Sequence, residues 1–399
     1  MVHFLHTADW HVGIRFSKLG QNAEKARKIR IDTVKSLLDS AKEKKVDFII
    51  AAGDLFDSND VDRKLIRKIT TLIKDIDPIP VYILPGNHDP LTRDSLFHDE
   101  TWKTIDNVYI FKDEEPVKIS NLGVTLYPFP IKQKQTREDI TRESKGDDKH
   151  ISIGIAHGNL QIKGFLDEPN FPIDVNRVDK AGFDYLALGE WHSYYTHKGL
   201  DGVVRTVYPG TPETTKFGEK DSGKAVFVKI KKKGAKPEII DQDFGVLKWE
   251  EISKEISNLE DIKHLEKELI GIKSPKETLV NISFRGVVDQ ECADFIEIVE
   301  SRIADDFLYL NFDEEQLHLK PNLKKLKAMI PEGVVFANTI NALQAMMKQH
   351  SSMEELTDMS IIESEKILRE LRGKESVVNA EPETIERALL ALYQILKEE

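Results

Sequence analysis

The chain has a single cysteine, Cys292, among 399 residues. One thiol cannot close an internal disulfide, and it excludes a cysteine-based zinc site. No apolar run approaches the roughly 18 residues of a membrane-spanning helix. Internal repeats and low-complexity tracts are also missing. Positive charge is in deficit, with 57 Lys and Arg against 69 Asp and Glu, a formal net charge of −12. That balance argues against a chain that coats nucleic acid nonspecifically, although it leaves room for a local basic groove. Part of the acidic excess falls on candidate metal ligands, where bound cations would offset it. Met1–Leu5 carries no basic leader or cleavage site, so the expected setting is a reducing cytoplasm, nucleoid-associated in a prokaryote, with no membrane.

What the sequence does contain is five short islands of metal-binding side chains. They read Asp9-Trp10-His11, Gly53-Asp54-Leu55-Phe56-Asp57, Gly86-Asn87-His88-Asp89, His157-Gly158-Asn159 and Gly189-Glu190-Trp191-His192. Each follows a short apolar, β-rich run. The side chains are therefore expected on loops at the C-terminal ends of strands, where open α/β sheets build their sites. Carboxylate, imidazole and amide oxygen together suit Mn²⁺, Fe or Zn²⁺. A hydrolytic pair of cations needs one bridging carboxylate. Asp54 fits that role, because it follows a glycine turn directly after the buried-strand run Asp47–Ala52. Asp9, His11, Asn87, His157 and His192 are the further donors. His88 adjoins a ligand, and adjacent side chains diverge. It is read as a proton donor to a leaving oxygen, oriented by Asp57 or Asp89.

The length predicts two or three domains. Residues 1–238 alternate strand and helix signals, as in a layered α/β sandwich. Helices are expected at Ala23–Lys44 and Arg63–Lys74. Residues 239–320 form a small α+β module, with helix-like stretches at Trp249–Leu269 and Gln290–Ile303 around a strand at Thr278–Phe284. Residues 321–399 read as a helical tail punctuated by Pro321 and Pro331. In it Phe336, Ile340, Leu343 and Met347 share one face, and Ile385, Leu389, Leu392 and Leu396 another. These stripes are either core against the middle module or, with Met346, an adaptable surface for a partner helix.

The wording Leu5-His6-Thr7-Ala8-Asp9-Trp10-His11 and Ala52-Gly53-Asp54-Leu55-Phe56 resembles the calcineurin-like metallophosphoesterase superfamily. Within it the likeness is to the DNA double-strand-break repair nucleases, of SbcD or meiotic recombination eleven type. Tyr208-Pro209-Gly210-Thr211-Pro212 and Phe217-Gly218-Glu219 are similar to that branch. The likeness is strong over residues 1–230 and looser beyond. It implies an α-β-β-α sandwich, a small capping domain over the DNA groove and a C-terminal helical region. It implies one Mn²⁺ held by Asp9, His11, Asp54 and His192. A second would be held by Asp54, Asn87, His157 and the first His of a Gly-His-x-His motif, with His88 orienting substrate. Mg²⁺, Fe or Zn²⁺ could replace Mn²⁺. The implied partners are single- and double-stranded DNA, an SbcC-type ATPase with a coiled coil, and a second copy in a homodimer.

One position departs from the motif, since Glu190 stands where the first His belongs. A carboxylate can replace imidazole as a ligand, or Glu190 can point away and leave the second position weak. Among the basic residues Arg15, Lys18, Lys25, Arg27, Lys28 and Arg30, most read as a solvated helix face, with Arg15 and Lys18 as phosphate contacts. Trp10, Trp191, Tyr194 and Tyr195 could stack on bases or pack around the site. Three functions stay open: a Mn²⁺-dependent DNA exonuclease and endonuclease, a stand-alone phosphodiesterase of nucleotides or other small diesters, and a catalytically weak scaffold subunit of a repair complex.

Overall fold

A computed structural model describes residues 1–162, 170–320, 335–350, 359–371 and 380–392, the last except 383, 386 and 390. The first half opens with β1 (Val2–Thr7), α1 (Ala23–Glu43), β2 (Phe48–Ala52), α2 (Arg63–Lys74), β3 (Val81–Leu84) and β4 (Val108–Ile110). These four strands run parallel, as strands joined by crossovers must. Then come β5 (Val117–Ile119), β6 (Val124–Phe129), β7 (Ile151–His157), the short pair β8 (Asn159–Leu160) and β9 (Pro172–Ile173), α3 (Arg177–Ala181), β10 (Tyr185–Gly189), β11 (Tyr195–Lys198) and β12 (Val204–Tyr208). β13 (Lys224–Ile230) and β14 (Glu238–Asp243) return to the first sheet. The two six-stranded sheets have the orders β14-β13-β1-β2-β3-β4 and β11-β12-β10-β7-β6-β5.

The strand period of two sorts the apolar residues into layers. Leu5, Ile49, Ala51, Val81 and Ile83 join Val34, Leu37 and Leu38 of α1 and Ile66, Ile69 and Ile73 of α2. Their neighbours Phe4, Phe48, Ile50, Ala52 and Leu84 face Ile153, Ile155, Tyr185 and Ala187 of the second sheet. Leu186 and Leu188, on that sheet's far side, pack on Val178 and Ala181 of α3. The result is an α-β-β-α sandwich. Its centre holds Phe4 stacked on Phe48 at 5.1 Å, with Tyr185 edge-on to Phe4 at 5.5 Å. β1, β2 and β3 are parallel neighbours in one sheet and β7 and β10 in the other, and the islands that follow them meet at one edge of the sandwich.

Contacts group the chain into two compact units, Met1–Glu250 with Ser274–Val280 and Phe307–Tyr309, and Glu251–Lys273 with Asn281–Asp306 and Leu310–Glu399. A three-stranded sheet runs β15-β16-β17, formed by β15 (Lys248–Glu255), β16 (Thr278–Val288) and β17 (Tyr309–Leu319). Beside these strands come α4 (Leu259–Ile270) and α5 (Gln290–Ile303). The helix expected over Trp249–Leu269 is thus corrected, because its first third is a strand. From Glu251 to Ile256 exposure alternates strictly, and Ile256 N donates to Arg285 O at 2.8 Å. Pairing with a neighbouring strand overrides the helix-forming Glu and Lys there. The helix proper starts behind Asn258, whose side chain accepts from Glu260 N and Asp261 N while Asp261 accepts from the Asn258 N–H.

In the second unit α6 (Val335–Met347) and α7 (Ile361–Glu370) belong to the C-terminal region. Ile340, Leu343, Met346 and Met347 are buried together with Ile385, Leu389 and Leu392. The two stripes therefore cover each other, which corrects their reading as a surface open to a partner. Pro321, Pro331, Leu396 and the Phe336 side chain lie outside the described residues. Replacing Phe48 by Ala removes the inner half of the Phe4 stack, and urea denaturation should read a loss of about 3–5 kcal/mol.

Candidate metal centre

The islands are drawn together by backbone bonds between neighbouring strand ends. Asp9 N donates to Gly53 O, His11 N to Asp54 O and Val12 N to Leu55 O, at 2.9–3.0 Å. Four donor-bearing residues adopt left-handed backbone angles, with φ of 54° at Asp9, 42° at His11, 51° at Asp54 and 103° at Glu190. Such angles are uncommon outside glycine and collect at functional sites. Close packing demands glycine beside them. A Cβ at Gly53 would lie 2.0 Å from His157 Nδ1, and one at Gly86 would lie 2.1 Å from Asp54 Oδ1.

Asp54 occupies the middle. Its Oδ2 lies 3.8 Å from His11 Nε2 and 3.3 Å from His157 Nε2, and its Oδ1 accepts the His88 N–H at 2.9 Å. On one side, His11 Nε2 and His192 Nε2 stand 3.0 Å apart. Their other nitrogens face carboxylates, His192 Nδ1 at 2.6 Å from Glu219 Oε1 and His11 Nδ1 at 3.3 Å from Asp57 Oδ1, the latter an ion-pair contact rather than a well-formed hydrogen bond. On the other side, His157 Nδ1 meets Ala52 O at 2.9 Å. Its Nε2 faces Asn87 Oδ1 at 3.0 Å, Glu190 Oε2 at 3.1 Å and Asp54 Oδ2. Among the described residues, Asp9 with His11 and His192, and Asp9 with Asp54 and His157, each bring ligand atoms within 4.8 Å of one another.

This donor chemistry fits divalent cations. A hydrogen on His157 Nδ1, shared with Ala52 O, leaves the Nε2 lone pair facing three oxygens. Acceptors that converge in this way repel unless a positive charge lies among them, whether proton or metal. The same holds for the two Nε2 atoms of His11 and His192, whose Nδ1 atoms are turned to carboxylates, the usual outer support of metal-bound imidazole. Without metal, a proton serves instead. Burial would lower the His157 pKa, but Asp54, Glu190 and Asp9 raise it well above the usual range. Burial would raise the Asp54 carboxyl, yet His157 and His11 hold it well below the carboxylate range. His192 is raised against burial chiefly by Glu219, which itself falls to about 2.

Every expected ligand thus lies in one cluster, and Glu190 points into it rather than away. The other candidates divide. His88 is exposed at the rim, its ring set T-shaped against His11 at 4.8 Å. Its Nδ1 lies 3.0 Å from the backbone carbonyl of Asp57. The expected carboxylate partner is therefore corrected: Asp57 orients His88 through its carbonyl, and its carboxylate stands beside His11. Asp89 is buried and accepts the N–H groups of Phe56 and Gly86, so it shapes the loop instead. Trp10 is fully buried and donates to Thr7 Oγ1 at 2.9 Å, which removes it as a base-stacking platform. Arg15 and Lys18 are exposed.

Sequence reasoning missed two supports. Arg30, read with its neighbours as a solvated face, is buried. It reaches inward because its guanidinium donates to Trp10 O at 2.8 Å, Glu213 O at 2.6 Å and Thr214 O at 3.0 Å. One cation thereby ties the segment between Asp9 and His11 to the loop leading to Thr215. The Thr215 N–H and hydroxyl in turn hold the Glu219 carboxylate that positions His192. Glu219 stood within the motif Phe217-Gly218-Glu219, but nothing in its spacing tied it to a histidine 27 residues earlier.

Residues 2–194 match the model of the calcineurin-like phosphoesterase family. With this fold and donor cluster, residues 2–194 form a calcineurin-like phosphoesterase domain whose clustered side chains can hold divalent cations. The chain is 28% identical over 232 residues to YhaO of Bacillus subtilis, a metallophosphoesterase described as uncharacterized, covering 54% of each chain. It is 29% identical over 218 residues to the DNA double-strand break repair protein Mre11 of Saccharolobus solfataricus, covering 53% of this chain and 55% of that one. It is 24% identical over 276 residues to the SbcD component of the nuclease SbcCD of Bacillus subtilis, covering 58% and 67%. The chain thus spans about half the length of the first two relatives.

Two outcomes follow from the site. Arg30→Met leaves three carbonyls and the buried Glu213 without their cation, and chemical denaturation should show a loss of about 3–5 kcal/mol. Metal must displace the proton that His157 holds, so calorimetry should show Mn²⁺ affinity rising as pH climbs above the ordinary histidine range, with net proton release. Affinity independent of pH, with no protons released, would contradict the assignment of His157.

Proposed function

We propose that this chain is a Mn²⁺-dependent nuclease that hydrolyses DNA phosphodiester bonds. The observation that carries the reading is one Asp54 oxygen placed between two donor sets, with an exposed histidine beside them. Asp9, His11, Asp54 and His192 would hold one cation. Asp54, Asn87, His157 and Glu190 would hold the other. Bound divalent cations supply the positive charge that makes a water acidic and offsets the charge developing on phosphate.

The chain's own residues do the rest. Asp57 O accepts from His88 Nδ1, which fixes the ring so that Nε2–H is offered outward. A water oxygen that has lost one proton to bulk solvent bonds to phosphorus, the ester P–O bond breaks, and the departing oxygen takes the proton from His88. Glu219 and Ala52 O hold the rings of His192 and His157 so that their outer nitrogens converge on Asp54. Kinship with a break-repair protein and with a nuclease component supports DNA as substrate. Work in a double-strand-break repair complex, as a homodimer with a coiled-coil ATPase, belongs to the same proposal. Because the tail stripes are covered, the ATPase would meet other residues, and Ile361 and Ile362 of α7 are 62% and 83% exposed. A second reading, hydrolysis of small diesters, is favoured by the acidic balance and by the Glu190 carboxylate within the cluster.

Cleavage of labelled oligonucleotides with Mn²⁺, set against a small diester such as bis(p-nitrophenyl) phosphate, separates the two readings. The nuclease reading expects higher turnover on DNA. His88→Ala should lower kcat by about 10²–10⁴-fold, the usual weight of a positioned proton donor, while leaving Mn²⁺ binding intact. Undiminished cleavage by this variant would reject the role of His88. Absence of turnover on any diester with any divalent ion would leave a scaffold.

A further inference from the structure

We infer that Glu190 makes the two donor sets chemically unequal, so that the second position favours Mn²⁺ or Mg²⁺ over Zn²⁺ more than the first does. The inference rests on the metal-centre reading above. The first set offers two imidazoles, His11 and His192, with the carboxylates of Asp9 and Asp54. The second offers one imidazole, His157, with an amide oxygen and the carboxylates of Asp54 and Glu190. Imidazole suits Zn²⁺ and Fe, whereas carboxylate and carbonyl oxygen suit Mn²⁺ and Mg²⁺.

Glu190 is held for this task from three directions. Its Oε2 lies 3.1 Å from His157 Nε2. Its Oε1 lies 3.4 Å from Asn159 Nδ2, and the same amide group donates to Asn170 O at 3.0 Å. Asn159 is thus fixed at its far side and turned toward the carboxylate. The Glu190 N–H points at both Asp9 oxygens, at 3.1 and 3.2 Å. This contact ties its left-handed backbone, φ 103°, to a ligand of the first position. A residue serving only as a surface acid would have no reason to bear such a strained conformation.

The test reads the metals directly. Wild-type crystals grown with equimolar Mn²⁺ and Zn²⁺ are measured by anomalous diffraction at both absorption edges. Manganese should be enriched at the position nearest Asn87 and His157 and zinc at the one nearest His11 and His192. An equal or reversed ratio overturns the inference without any variant. Calorimetry adds a second readout. Glu190→Gln should weaken Mn²⁺ at one site by about 10–100-fold and spare the other, the usual scale for disturbing a metal's support. Glu190→His should shift that site toward Zn²⁺. If both variants bind like wild type, Glu190 is no ligand. Asp54→Asn is the control: two ions bound by wild type and lost in Asp54→Asn, with indifference to Glu190, would reject only this inference. Wild type that binds no divalent ion would reject the metal centre itself.

Discussion

Everything at this site depends on holding like donors close together in a buried place. Asp9, Asp54 and His157 are all but excluded from water, and a buried carboxylate is costly unless a positive charge accompanies it. The protein meets that requirement with geometry rather than with lysine or arginine. Strand ends deliver the side chains, and backbone bonds from Asp9, His11 and Val12 to the Gly53–Leu55 turn lock two islands in register. A proton on His157 fills part of the gap in the metal-free chain, which is why His157 shifts up while the Asp54 carboxyl beside it shifts down. A divalent cation is a better solution to the same electrostatic problem, because it satisfies several acceptors at once.

The legible part of this architecture is the part with short-range causes. A buried apolar run that ends in Gly-Asp marks a strand and its exit loop in any sequence, so the islands and their placement could be read residue by residue. The parallel strands of the first sheet followed from their alternation with helical stretches. Arg30 could not be read in this way. On a helix its neighbours Arg27 and Lys28 carry the same charge, and only the tertiary position of Trp10 O and Glu213 O decides which of them turns inward. The same limit hid Glu219. Lys248–Glu255 misled for a related reason, since its Glu and Lys favour helix locally while pairing with the adjacent strand decides otherwise. The tail stripes had true helical spacing, but periodicity reports that a face is buried, not what buries it.

The support of His88 differs from the one its neighbours suggest. A carboxylate was the natural partner to expect, because it both orients an imidazole and favours its charged form. The structure gives it a carbonyl instead, Asp57 O, and turns the Asp57 carboxylate to His11. The carbonyl fixes the ring's orientation, while the Asp57 carboxylate stays within 4.8 Å of both imidazoles.

The arrangement has a cost that the sandwich must carry. Four non-glycine residues in left-handed conformation and several mutually repelling donors are local violations of what stabilises a fold. They are concentrated at one edge, and the layers beneath them are built in the opposite spirit. The strand interiors Phe4, Ile49, Ile50, Ala51 and Ala187 are wholly buried, and Phe4 and Phe48 stack almost in parallel, 7° apart. A rigid apolar base lets strained loops keep their angles because relaxing them would unpack the sheet ends. Arg30 extends that rigidity sideways, from helix α1 to the loops on either side of the donors. The strain at the edge and the order of the core are thus parts of one design: donors can be held ready for a cation only where the chain below them cannot yield.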